Sequence, residues 1–155
     1  MSTLVAIVVA RHQWKEKRRD VCLKLWQLWT SYEFKKSRSR AYQYLHYQAH
    51  QDNVIDLITL RHENSELRED FSVVFHFFKD LYIMIRRGMV DRSLAKQLFM
   101  DEVNEWFRYL NPSEKSIINR PGFRIWEDEH RTWGEKFVLP LKAELESCPN
   151  KPRWL

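Results

Sequence analysis

Apolar residues recur at helical spacing along nearly the whole chain. From about Thr3 to Tyr32 the pattern predicts a first helix. Its later stripe, Val21, Leu25, Leu28, Trp29 and Tyr32, steps by four, three, one and three. A second helix is predicted from about Lys36 to His50, with Ala41, Tyr44, Leu45 and Gln48 on one side. Asp52 is placed to cap a short helix from Val54 to Leu60. The densest stripe falls in residues 66–87: Leu67, Phe71, Val74, Phe75, Phe78, Leu81, Tyr82 and Ile85. Asn64 or Ser65 can cap its start. Arg86 and Arg87 lie in its last turn, where cations complement the helix dipole, and Gly88 suits the left-handed position that stops it. Asp91 then caps a helix whose stripe is Leu94, Leu98, Phe99, Val103, Trp106, Phe107 and Leu110, closed by Asn111-Pro112. The four-residue link from Gly88 to Asp91 predicts that residues 66–110 form an antiparallel helical hairpin.

Beyond Pro112 a short helical turn carries Ile117 and Ile118, and Asn119-Arg120-Pro121-Gly122 reads as a loop. A C-terminal helix is expected over 123–147, with Phe123, Trp126, His130, Trp133 and Phe137 in one row and Gly134 and Pro140 as points of bending. No segment alternates as a strand does. With 3 glycines and 5 prolines there is little punctuation for hairpins, and seven Trp, nine Phe and six Tyr supply large core groups. The expected architecture is one all-α domain over 1–155, a single bundle of five to seven helices around the central antiparallel hairpin. A length of 155 residues suits one core, and 44% hydrophobic with 30% charged residues excludes a disordered or low-complexity chain.

Charge changes this picture. Residues 1–51 hold ten Lys or Arg against three acids, a net +7, while the remainder holds sixteen against eighteen, a net −2. A basic end on a nearly neutral body points to an anionic partner, although a solvated, self-repelling helix face gives the same composition. The cations that follow the first apolar run, Arg11, Lys15, Lys17, Arg18, Arg19 and Lys24, are the candidate contact residues, within a basic N-terminal helix spanning 1–35. The partners that fit are an anionic membrane surface, an acidic protein or RNA. Aromatic helix faces offer a further route to an oligomer.

The run Leu4-Val5-Ala6-Ile7-Val8-Val9-Ala10 is too short to span a bilayer, which takes about 20 apolar residues. Its cations follow rather than precede it, unlike a signal peptide. Three readings stand: the cytoplasmic end of a membrane helix that begins upstream, a shallow interfacial anchor, or the buried first turns of helix one. Cys22 and Cys148 are too few for a disulfide framework or a zinc motif and read as reduced thiols. A cytoplasmic location follows, at the inner membrane face if the N-terminal helix anchors.

Groups that could carry chemistry are few. His46 and His50 lie one helical turn apart, without the Glu of the HExxH motif or an identifiable further ligand, so neither a metal nor another cofactor is expected. Arg40 with His46, and Arg124 with His130, each fit Arg-x5-His. That spacing resembles the catalytic motif of the helical HEPN ribonucleases, in which the His moves protons and the Arg stabilises charge on the phosphate. A polar residue commonly follows the Arg in that family, whereas Ala41 and Ile125 follow here. His130, between Trp126 and Trp133, also suits a buried, hydrogen-bonded histidine. Trp14, Trp26, Trp29, Tyr32, Tyr42, Tyr44 and Tyr47 interleave with the basic residues and could stack bases, although core packing accounts first for Trp26, Trp29 and Tyr32.

Three stretches carry a family resemblance. They are Leu25-Trp26-Gln27-Leu28-Trp29-Thr30-Ser31-Tyr32-Glu33 followed by Arg40-Ala41-Tyr42; Val73 to Leu81 followed by Arg87-Gly88-Met89-Val90-Asp91; and Glu105-Trp106 before Arg120-Pro121. Over most of residues 20–135 the chain resembles a bacterial family of small all-helical proteins known only as a domain of unknown function. Its members often carry an N-terminal membrane helix followed by a basic juxtamembrane segment. The resemblance implies an all-helical fold and membrane association, and it supplies no catalytic residues. The expected function is a non-enzymatic helical interaction module whose basic N-terminal helix meets an anionic membrane face, protein or RNA. The alternative is a small RNA-cleaving toxin or defence effector using an Arg-x5-His pair.

Overall fold

The computed structural model describes residues 3–50, 64–110 and 138–148. Five helices are found there: α1 (Thr3–Thr30), α2 (Tyr32–His50), α3 (Ser65–Arg86), α4 (Arg92–Leu110) and α5 (Leu139–Glu146). They form an all-α bundle, with no strand among the described residues. The expected Val54–Leu60 helix, the Ile117–Ile118 turn, the 119–122 loop and the 123–137 part of the C-terminal helix lie outside them. Pro140 sits in the first turn of α5, where its missing N–H leaves no helical bond unmade.

The break between α1 and α2 falls at Ser31, rather than after a helix through Tyr32. The Ser31 hydroxyl donates to the Leu28 carbonyl at 2.7 Å and accepts the Phe34 N–H at 3.4 Å, so one side chain ends α1 and caps α2. The bend also takes Tyr32 out of the stripe, leaving it 76% exposed, and Leu28 is half exposed at 50%. The seam of α1 is rotated relative to the expected one. It runs Arg18, Cys22, Leu25, Trp29, at steps of four, three and four, with Cys22 and Trp29 fully buried.

α3 behaves as its stripe predicts. Leu67, Phe71, Val74, Phe75, Phe78, Leu81 and Ile85 are buried, Tyr82 half so, and Phe77 and Asp70 are buried besides. Asn64 is the cap, its Oδ1 accepting the Leu67 N–H at 3.0 Å. At the other end the Gly88 N–H bonds to the Ile85 carbonyl (3.1 Å) and the Met89 N–H to the Met84 carbonyl (2.9 Å). This is the Schellman pair, and it needs the left-handed φ of +66° that Gly88 adopts. Asp91 Oδ1 accepts the Leu94 N–H at 3.0 Å and so caps α4.

The helices of the expected hairpin, α3 and α4, meet through large rings: Phe77 to Phe99 at 5.6 Å and Phe78 to Trp106 at 6.0 Å. The closest backbone neighbour of α3 is α2, and that of α4 is α5. On the two stripes, Phe75, Phe78, Leu81 and Trp106 are buried, while Leu98 and Phe107 are half-buried. The centre of the core is Trp29, ringed by Phe77 (4.7 Å), Phe34 (5.1 Å) and Phe78 (5.4 Å), with the Arg38 guanidinium 4.4 Å from its ring centroid.

Candidate anionic-surface interface

The register of α1 decides what its cations can touch. The Asp91 N–H donates to the Arg18 carbonyl at 3.3 Å, and Trp26 meets Phe99 at 5.6 Å. Equal offsets at both points mean that α1 runs parallel to α4 and passes the start of α4 at Arg18. Everything N-terminal of that level projects past the α3–α4 turn. Every residue from Ala6 to Lys17 is accordingly exposed, including Ile7 (49%), Val8 (62%), Val9 (48%) and Trp14 (55%). At about 1.5 Å per residue this is roughly 18 Å of helix without a bundle around it.

Arg11, Lys15, Lys17, Arg19 and Lys24 are exposed, and none has a side-chain partner among the described residues. Arg18 differs. It is half-buried beside the α3–α4 turn, and its Nε is buried without a hydrogen bond. At about 100° per residue, Arg11, Lys15, Arg18 and Arg19 fall within an arc of roughly 100°, the upward continuation of the Cys22–Trp29 seam, while Lys17 and Lys24 lie nearly opposite. The cations therefore stand on two opposite sides of the helix, and the run above them, residues 4–10, is apolar on every side.

Two further features bear on chemistry. Arg40 is engaged by α3: its Nη2 donates to Asp70 Oδ1 at 2.8 Å, its Nε lies 2.7 Å from Oδ2, and its Nη1 pairs with Glu66. Hydrogen bonds donated to Asp70 first and Glu66 second hold the guanidinium even more firmly protonated than usual. His46 is exposed and stacks on Tyr42, with ring centroids 6.4 Å apart. The two side chains of this Arg-x5-His match thus have separate partners. The Arg124–His130 match lies outside the described residues, as does the His50 side chain. No group of three or more His, Cys, Asp or Glu among the described residues could hold a metal.

Cys22 is buried, and its thiol is pushed from 9.0 up to about 12, first by burial and then by the charge of Asp91. Cys148 is also buried, and both cysteines are unpaired thiols. Of the aromatics interleaved with the basic residues, Trp29 is in the core, Trp26, Tyr42 and Tyr44 are half-buried, and Trp14, Tyr32 and Tyr47 are exposed. Exposure of Trp14 was not legible from spacing, since it lies on the side of α1 that the bundle buries farther along.

Among the described residues no helix is long and apolar enough to cross a membrane. No protein-family model, curated protein or solved structure matches the chain.

Proposed function

We propose that this chain is a non-enzymatic helical interaction module that holds an anionic membrane face through its N-terminal helix, at the cytoplasmic side of that membrane. The observation that supports it most is the projecting half of α1, exposed from Ala6 to Lys17. A helix with one apolar face would lie in the bilayer plane, whereas one that is apolar all round over two turns, with cations on two opposite sides below, fits end-on entry. In that pose residues 4–10 enter the acyl region over about 10 Å, Trp14 sits at the headgroup level, and Arg11, Lys15, Lys17 and Arg19 meet the phosphates.

Sedimentation with vesicles tests it. Phosphatidylcholine vesicles containing phosphatidylglycerol should bind the chain, neutral ones much less, and raising salt from about 0.05 M to about 0.5 M should release it. Val8→Asn, which removes apolar contact without adding charge, should weaken binding and leave its salt dependence unaltered. Salt-sensitive binding to RNA with none to anionic vesicles would move the assignment to RNA. Binding to neither, with capture of an acidic protein, would move it there.

A further inference from the structure

The register that lets α1 project also places a second surface beside it. The Asp91 N–H bond to the Arg18 carbonyl puts the α3–α4 turn level with the point where α1 leaves the bundle. On this turn Arg87 is exposed, has no side-chain partner among the described residues, and stands next to Met89, itself 44% exposed. The neighbouring cations are committed differently. Arg86 and Arg92 share the Glu144 carboxylate of α5, at 3.2 and 2.6 Å. Asp91 is occupied in capping α4. Among the described residues of the turn, Arg87 is thus a cation without a side-chain partner, and it stands beside an exposed apolar side chain.

We infer that the Arg87–Met89 turn is a second contact with the same anionic bilayer, Arg87 on a lipid phosphate and Met89 among the headgroups. This rests on the membrane reading of α1. Distance supports it. If Arg11 marks the boundary of the acyl region, Arg18 and the turn lie about 10 Å below it along α1. The headgroup layer takes up roughly 5–7 Å of that, and an extended Arg side chain covers the remainder. The turn is also rigid enough to act as a foot, because the Schellman bonds and the Asp91 cap hold both of its ends. One projecting helix alone would let the bundle swing about its exit point, whereas two contacts fix its orientation.

The experiment uses the full chain and vesicles of phosphatidylcholine with phosphatidylglycerol. Met89→Cys carries an environment-sensitive dye, and Val73→Cys, exposed at mid-length on α3, carries it as control. Native Cys22 and Cys148 are buried and remain unlabelled in the folded protein. Vesicles should shift the Met89 probe to the blue and leave the Val73 probe unchanged. Arg87→Gln should weaken vesicle affinity roughly fivefold, the effect of one cation near a charged surface. A silent Met89 probe, or an unchanged affinity for Arg87→Gln, overturns the second contact while leaving binding through α1 intact. Absence of vesicle binding by the unaltered chain overturns both.

Discussion

Residues 6–17 and 18–30 belong to one uninterrupted helix, yet the first segment is exposed on every side and the second brings Cys22 and Trp29 into the core. Propensity does not separate them, since both are rich in good helix formers. What differs is whether a neighbour exists. α4 starts at Arg92, so the bundle offers the later half Asp91, Phe99 and the Phe77–Phe78 pair and offers the earlier half nothing. Apolar side chains in the second half are spent on folding, and those in the first remain available to a partner.

That contrast can be broken in four ways. Reversing Arg11, Lys15, Lys17 and Arg19 to Glu should remove vesicle binding, at about 1 kcal/mol or more per charge, while the melting temperature stays nearly constant. Arg18 is left out of that set because its half-buried position would confound binding with folding. Trp29→Ala should cost about 3–5 kcal/mol in denaturant unfolding, the range for emptying a buried aromatic site, whereas Trp14→Ala should stay within about 0.5 kcal/mol. Equal effects at the two positions would mean that the halves of α1 are not packed as described.

Cys22 gives a pH signature of the buried half. Its folded pKa lies above that of the unfolded thiol, so the folded chain holds the proton longer. The stability this contributes is complete below about 9 and is lost progressively between 9.0 and about 12. Unfolding free energy should therefore fall with pH across that window by at most about 1.4 kcal/mol per unit, and Cys22→Ala should lack this component of the slope. The smallest effect is expected at the turn. A Cβ on Gly88 would meet nothing within 4 Å, so Gly88→Ala should cost only the left-handed conformation, about 1 kcal/mol, read as a small drop in melting temperature.

The legibility of the molecule in its sequence followed the same division. α3 could be read almost residue by residue, because it is covered on several sides and its stripe, Asn64 cap and Gly88 stop all reflect local rules. α1 was harder. Its true seam passes through Arg18 and Cys22, and a search for apolar residues picks instead Leu28, which lies off that seam, and Tyr32, which the Ser31 bend leaves in solvent. The cations of the candidate interface were visible as a charge bias, but their distribution around a projecting helix was not. Arg87 was legible only as a residue complementing a helix dipole. Its place beside α1 depends on a contact between Arg18 and Asp91, which no local pattern encodes.

That same contact orders events during synthesis. α1 is made before the other helices, and apart from Phe34 the residues that cover its second half come much later. At about 5–20 residues per second, the roughly 70 residues between Arg18 and Asp91 take on the order of 4–15 s to appear. Until Phe77, Phe78 and α4 have been made, the Cys22–Trp29 seam lacks most of its cover. Under the proposed membrane reading, the N-terminal helix would be open to capture before the bundle exists, and the bundle would then assemble on a helix whose position is already set.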